Sequence, residues 1–247
     1  MRSAATIMFW TILATATLVL GIAASPALLL GEKASRRVAK AWSNIALFLL
    51  KTILGIDHQV EGAQNIPAQG AIIAANHQST WETIALYNIL ANPVVVYKRE
   101  LSSIPIFGWF LLRTGNIAID RSAGVSALRK MQRDAAAGLA RGQQFIIFPE
   151  GTRVKPGVTA EYRPGVAGIY KAADKICVPV AHDSGAYWRY PELAKQPGRI
   201  TLRFLSAIEP GLPKQEFLVQ LKAAIDGARP DLSGKPVDQT VGAFQNA

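Results

Sequence analysis

The residues of this 247-residue chain best suited to chemistry fall in polar clusters, each placed just after a short apolar run. The first is Asn76-His77, which follows Ala71-Ile72-Ile73-Ala74-Ala75, with Glu82 five positions beyond the histidine. An imidazole titrates near neutrality, so His77 can accept a proton at pH 7. Five residues is a poor spacing for two side chains on one ideal helix. If His77 lies in the loop before the helix, however, the Glu82 carboxylate can reach back to one ring nitrogen. It then fixes the tautomer and stabilises the imidazolium, and the other nitrogen is left to take a proton from a substrate hydroxyl. General-base help of this kind contributes about 10²–10⁴ in rate.

Three further clusters carry charge suited to an anion. Lys98 follows Val94-Val95-Val96-Tyr97, Asp120-Arg121 follows Asn116-Ile117-Ala118-Ile119, and Glu150-Gly151-Thr152-Arg153 follows Phe145-Ile146-Ile147-Phe148-Pro149. A guanidinium fork suits phosphate because it makes paired, charge-assisted hydrogen bonds. Gly151 allows close backbone approach or an unusual turn. Taken singly, each of these residues reads as a surface charge or a local ion pair; their placement at strand ends is what joins them to His77.

The other histidines point elsewhere. His58 stands next to Asp57 near a strand start and reads as structural or exposed. His182-Asp183-Ser184 holds the residue types of a hydrolase triad, but adjacent residues cannot form triad geometry among themselves, and there is no Gly-x-Ser-x-Gly elbow. Three widely separated histidines make no metal site. Cys177 is the only cysteine, which excludes an intramolecular disulfide and a Cys-x-x-Cys zinc pair.

The elements that must position these clusters follow from hydrophobic pattern. Strands are expected at 71–75, 94–97, 116–120, 145–148, 177–181 and 200–205. Helices are expected at 79–90, over most of 101–112, and at 125–141, 166–173 and 214–228. Strands alternating with helices imply an α/β fold: a mixed, largely parallel sheet flanked by helices. In such sheets ligands bind in the crevice beyond the carboxyl ends of the strands, where the polar clusters stand.

The N-terminus has a different texture. From Ser3 to Gly31 there is no charged side chain, which is longer than the roughly 20 apolar residues a spanning helix needs. Ala23-Ala24-Ser25 looks like a signal cleavage site, but Pro26 follows and the apolar run continues, so a retained anchor is the better reading. Residues 36–56 mix cations with Trp42, Phe48 and Ile53, as an amphipathic interfacial helix does. An N-terminal membrane helix pair is therefore expected; a full span and a hairpin entering one leaflet both remain open. Arg2 lies before the anchor, and Lys33, Arg36, Arg37 and Lys40 lie after it. The positive-inside tendency then places the catalytic part on the cytoplasmic side of the inner membrane. Three parts result: anchor and amphipathic helix at 1–56, catalytic domain at 57–229, and a polar tail at 230–247. The net charge of +10 suits anionic partners, membrane lipids among them. No nucleic-acid motif or aromatic-basic stacking pattern accompanies it.

The motif blocks resemble those of the bacterial 1-acyl-sn-glycerol-3-phosphate acyltransferases, also called lysophosphatidic acid acyltransferases, from about Val60 to Ser206. Asn76-His-Gln-Ser-Thr-Trp-Glu82 is similar to the family's His-x4-Asp block. Lys98-Arg-Glu-Leu101 through Gly115-Asn-Ile-Ala-Ile-Asp-Arg121 is similar to the second block, Phe148-Pro-Glu-Gly-Thr-Arg153 to the third, and Val178-Pro-Val180 to the fourth. The resemblance implies His77 as catalytic base with Glu82 in place of the usual aspartate. It implies Arg121, Glu150, Gly151 and Arg153 on the glycerol phosphate, Lys98 near the acyl carbonyl, and Val178 and Pro179 on the acyl side. Glu150 either orients an arginine or hydrogen-bonds the glycerol. The acyl group comes from acyl carrier protein or coenzyme A as co-substrate, with no metal and no cofactor. Two alternatives stand beside this. One is a sister acyltransferase with another acceptor, such as lyso-ornithine lipid; the other is a non-catalytic basic membrane-binding module.

Overall fold

The short apolar runs become strands of one sheet, whose central members are covered on both faces. In the computed structural model, which describes residues 2–120, 124–188 and 191–229, the strands are β1 (Ile56–Glu61), β2 (Ile72–Ala75), β3 (Pro93–Lys98), β4 (Ile117–Ile119), β5 (Gln144–Ile147), β6 (Cys177–His182) and β7 (Gly198–Phe204). They lie in the order β1-β7-β6-β2-β5-β3-β4. The block β6-β2-β5-β3-β4 is parallel throughout. β7 runs antiparallel to β6, and β1 pairs parallel to β7. The sheet is thus mixed and largely parallel, as expected. β2, β5 and β6 are buried along their whole length, as strands covered on both faces must be.

The helices are α1 (Arg2–Ala23), α2 (Glu32–Leu54), α3 (Trp81–Ile89), α4 (Phe107–Arg113), α5 (Gly124–Ala140), α6 (Gly165–Ala173), α7 (Ser184–Tyr187) and α8 (Lys214–Ala228). Period-two alternation divides the core between two layers. Ile73, Ala75, Ile146, Val178 and Val180 face one side, where Phe9, Leu13, Ala46, Leu50, Trp81 and Leu86 of α1, α2 and α3 cover them. Ile72, Ala74, Phe145, Ile147 and Ala181 face the other, under Met131, Leu139, Val166, Tyr170, Phe217 and Leu221 of α5, α6 and α8.

The structure departs from expectation in three places. The segment 101–112 is broken: a 3₁₀ turn at Arg99–Ser103 precedes α4, and Ile106 between them has φ +67°. Pro105 cannot donate to a helical ladder, which accounts for the break. Ile106 is instead pressed onto α1, where a Cβ on Gly21 would lie 2.1 Å from its Cγ2; only glycine permits that approach. Second, of the expected membrane helix pair, only α1 is long and apolar enough to cross a membrane among the described residues. α2 carries Lys33, Arg36, Arg37, Lys40 and Lys51 along one amphipathic length. Third, Arg36 is not a flanking surface cation. It is buried, donating to the Thr114 carbonyl at 3.1 Å and bonding Glu32 and Asn92.

α1 is apolar all round, yet it is only partly inside. Phe9 and Leu13 join the core and Phe9 meets Trp188 edge-on, whereas Ile7, Met8, Leu18, Val19 and Ile22 remain exposed. Leu29 and Leu30 after α1, and Trp109 and Leu112 on adjoining α4, are exposed too. An apolar surface of this breadth is characteristic of a membrane or partner contact.

Candidate active site

All five parallel strands point the same way, so the segments that follow them gather on one edge of the sheet. His77 lies two residues past β2, Lys98 ends β3, Asp120 follows β4, and Pro149–Arg153 follow β5. The tail 230–247 and Arg121 lie outside the described residues.

His77 sits in the turn between β2 and α3, and Glu82 lies in the first turn of that helix. Glu82 is fully buried, and its Oε1 stands 2.7 Å from His77 Nδ1. The same oxygen accepts the Gln78 and Ser79 amides, each at 2.8 Å. Just before α3, Ser79 Oγ accepts the Trp81 amide at 3.0 Å while the glutamate reaches back to the Ser79 amide. One carboxylate thus serves both the start of the helix and the imidazole. Oε2 accepts the Ser79 hydroxyl and, at 2.8 Å, the Ser184 hydroxyl. Burial alone would push this carboxyl up. The His182 and His77 imidazoles and the Ser79 hydroxyl outweigh it and hold Glu82 well below the usual carboxylate range.

An ionised Glu82 makes Nδ1 the protonated nitrogen of His77. The Nε2 lone pair is then the basic one, and Nε2 has no partner among the described residues. The ring stacks on Phe148 at 4.1 Å with 16° between planes, and the side chain is 16% exposed. The imidazole is thus clamped on one side, supported on its face, and open at its basic atom.

The loop after β5 grips the same histidine by its backbone. Glu150 is buried, and its Oε2 accepts the His77 amide at 2.6 Å. Burial pushes its carboxyl up to about 8, with Glu82 and Asp226 adding to the rise against the His77 amide and Arg229. The Val154 amide donates to the His77 carbonyl at 2.7 Å. Gly151 has φ +70°, with the Arg163 Cγ 3.1 Å from where a Cβ would stand. Arg153 donates from Nε to the Ser79 carbonyl and from Nη2 to Thr80 Oγ1, both at 3.1 Å. The four residues Glu150 to Arg153 therefore embrace the start of α3. Lys98 is exposed two strands away from β2, about 10 Å along the edge. Val178 and Pro179 are buried within β6, in register with Ile73 and Ala74.

Comparison with known proteins follows from this geometry. A family model described as Acyltransferase matches residues 57–183, half of the chain. The chain belongs to the acyltransferase family. Among curated acyltransferase relatives, a 1-acyl-sn-glycerol-3-phosphate acyltransferase of Pseudomonas aeruginosa is 38% identical over 165 residues, covering 67% of this chain and 64% of its own. One of Saccharomyces cerevisiae, with the same description, is 32% identical over 135 residues, covering 53% and 44%. The chain thus spans less than two thirds of the length of these relatives. The crystal structure of the 1-acyl-sn-glycerophosphate (LPA) acyltransferase PlsC from Thermotoga maritima shares the fold. Its TM-score is 0.75 at 21% identity, covering all of this chain and 97% of that one.

Three residues of this acyltransferase site were not assigned to it from sequence. In sequence Ser79 is marked only by its place at the start of a helical stretch. Ser184 and His182 belong to the triplet set aside as no hydrolase triad. They reach the site because β6 lies beside β2: His182 Nε2 is 2.6 Å from the Asn76 carbonyl, and the Asn76 side chain bonds the His182 carbonyl and amide at 3.0 and 2.9 Å. Strand adjacency, not spacing, was the missing signal.

Proposed function

We propose that this protein transfers a fatty acyl group from an acyl-carrier-protein or coenzyme A thioester to the free sn-2 hydroxyl of 1-acyl-glycerol-3-phosphate, giving phosphatidic acid. The observation that carries this reading is the 2.7 Å pairing of His77 Nδ1 with an ionised, fully buried Glu82, which leaves Nε2 as the available base. In the proposed step, Nε2 takes the acceptor's hydroxyl proton while that oxygen bonds to the thioester carbonyl. The tetrahedral intermediate then collapses, the C–S bond breaks, and the imidazolium returns its proton to the departing thiolate. A thioester already carries a good leaving group, so no protein nucleophile, metal or cofactor enters. Glu82 stabilises the transient imidazolium, as the acid of a hydrolase triad does.

By the resemblance of their motifs, Arg121, Glu150, Gly151 and Arg153 are assigned to the glycerol phosphate and Lys98 to the acyl carbonyl. The names of the relatives support the choice of acceptor. The exposed apolar side of α1 and α4 supports attachment to a membrane, from which the lysophospholipid can enter; the cations that follow α1 are the ground for placing it in the inner membrane with the catalytic part on the cytoplasmic side.

The test is purified protein with radiolabelled acyl-carrier-protein and acyl-coenzyme A donors and a panel of lyso-acceptors, including the phosphate-free lyso-ornithine lipid. Labelled phosphatidic acid is the expected product. His77→Ala should lower turnover about 10²–10⁴-fold while the protein still sediments with membranes. A preference for the phosphate-free acceptor would remove the phosphate from this assignment, and full activity in His77→Ala would remove the mechanism.

A further inference from the structure

We propose that Ser184 is a positioning residue for the His77–Glu82 pair, acting through the second oxygen of the glutamate. The inference rests on the acyltransferase reading above. Glu82 Oε1 is occupied by the imidazole and two amides. Oε2 faces away from His77, toward the turn after β6, and there it meets Ser184 Oγ at 2.8 Å. Ser184 is fully buried, and its hydroxyl also lies 2.9 Å from Ser79 Oγ. Neither hydroxyl has solvent as an alternative partner, so the shared carboxylate oxygen is the acceptor both can use.

The serine is itself fixed to the residue before the base. Its amide points at His182 Nδ1 at 3.3 Å, and His182 Nε2 stands 2.6 Å from the Asn76 carbonyl. A closed circuit therefore runs from Asn76 through the His182 ring to Ser184, to Glu82, to His77 and back along the chain. Its physical effect is on one soft torsion. The terminal torsion of a glutamate side chain is broad, and with the Ser184 donor gone Oε2 keeps only the Ser79 hydroxyl, so the carboxylate is freer to rotate Oε1 away from the imidazole. Pinning Oε2 keeps Oε1 on Nδ1 through the catalytic cycle. An aspartate at position 82 would carry the same pair of oxygens about 1.5 Å nearer the α3 backbone, which draws its second oxygen back from the Ser184 hydroxyl, so the serine is expected to matter chiefly beside a glutamate.

The experiment measures kcat, KM for the lyso-acceptor and the pH dependence of kcat for wild type, S184A, E82D and E82D/S184A, with H77A as control. S184A should lower kcat about tenfold, the scale of a hydrogen bond to a charged group, with KM changed less than about twofold. Its acid limb should move to lower pH, because an imidazolium from which Oε1 has rotated away is less stabilised. In the E82D background the same substitution should change kcat less than about twofold, a non-additivity that a purely structural role does not produce. Equal losses in both backgrounds, or an S184A enzyme with wild-type kcat and pH profile, would overturn the inference. Should S184A not fold, S184T against S184C carries the test: faster turnover in the hydroxyl-bearing variant supports it, and equal rates overturn it. Wild type without turnover, or H77A as fast as wild type, instead overturns the reading on which the inference stands.

Discussion

Glu82 and Glu150 are both buried, and both bond His77, one at the ring and the other at the main-chain amide. The turn after β2 surrounds its carboxylate with an imidazole, two amides and two hydroxyls; the loop after β5 gives its carboxylate one amide. The first is held below the ordinary carboxylate range, and the second is pushed up to about 8. Burial is common to both, so burial does not decide the charge; the number and kind of donors do. The β2–α3 turn is built to keep a negative charge beside an imidazole, and the β5–α6 loop holds that turn in place through a carboxyl whose ionisation burial disfavours.

The comparison breaks most readily at Glu82. Glu82→Gln keeps the size and one acceptor but removes the charge that fixes the Nδ1–H tautomer and steadies the imidazolium. Turnover should fall about 10²–10⁴-fold, with the acceptor KM little altered. A Glu82→Gln enzyme within tenfold of wild type would mean that the ionised carboxylate is not what the turn is for. Glu150→Gln is the matched control: its side-chain carbonyl can still accept the His77 amide, so turnover should stay within about threefold. Glu150→Ala instead leaves that buried amide unpaired and should cost about 1–3 kcal/mol of stability, read by denaturant unfolding.

The base and its acid were legible in the sequence because the interaction is local: one strand-to-helix turn contains both His77 and Glu82. The gathering of Lys98, Asp120 and Glu150 on the same edge was legible because each ends an apolar run, and parallel strands send such ends one way. Glu150's bond to the His77 amide and the seat of Ser184 were not, since both depend on which strands lie side by side. Arg36 shows the same limit, because its partners Asn92 and Thr114 are remote in the chain and nothing in a run of cations marks one as buried. Nor could the pattern of α1 reveal which side docks, for a helix apolar all round has no stripe to read.

The opposite shifts give opposite pH dependences of stability. Glu150 has a raised folded value, so the unfolded chain releases its proton first. Its contribution is full below the ordinary carboxylate range and is lost as pH rises toward about 8. Glu82 has a depressed folded value, so its contribution is present above the ordinary range and is lost as pH falls below it. Unfolding free energies measured from pH 5 to 8 should therefore decline, with Glu150 contributing a slope of at most about 1.4 kcal/mol per pH unit. Glu150→Gln should flatten that limb and leave the acid limb intact, while Glu82→Gln should do the reverse. A single substitution that flattened both limbs would show that the two carboxylates titrate as one unit and that their separation into two roles is wrong.

The smallest expected effect falls where the two loops touch. Arg153 belongs to the β5–α6 loop, yet it donates to Ser79 and Thr80 at the start of α3. Arg153→Lys keeps the positive charge but loses the planar fork, and a lysine head cannot reach both acceptors in the same geometry. If Arg153 serves mainly to hold α3 against the loop, the change should slow turnover about threefold and leave the acceptor KM nearly unmoved. If its main partner is the phosphate, the KM for 1-acyl-glycerol-3-phosphate should rise several-fold at nearly constant kcat, and the KM for a phosphate-free acceptor should not. The bonds to Ser79 and Thr80 favour the first outcome for the unliganded site. The ratio of the two KM changes then measures how far the guanidinium leaves those bonds when an anion arrives.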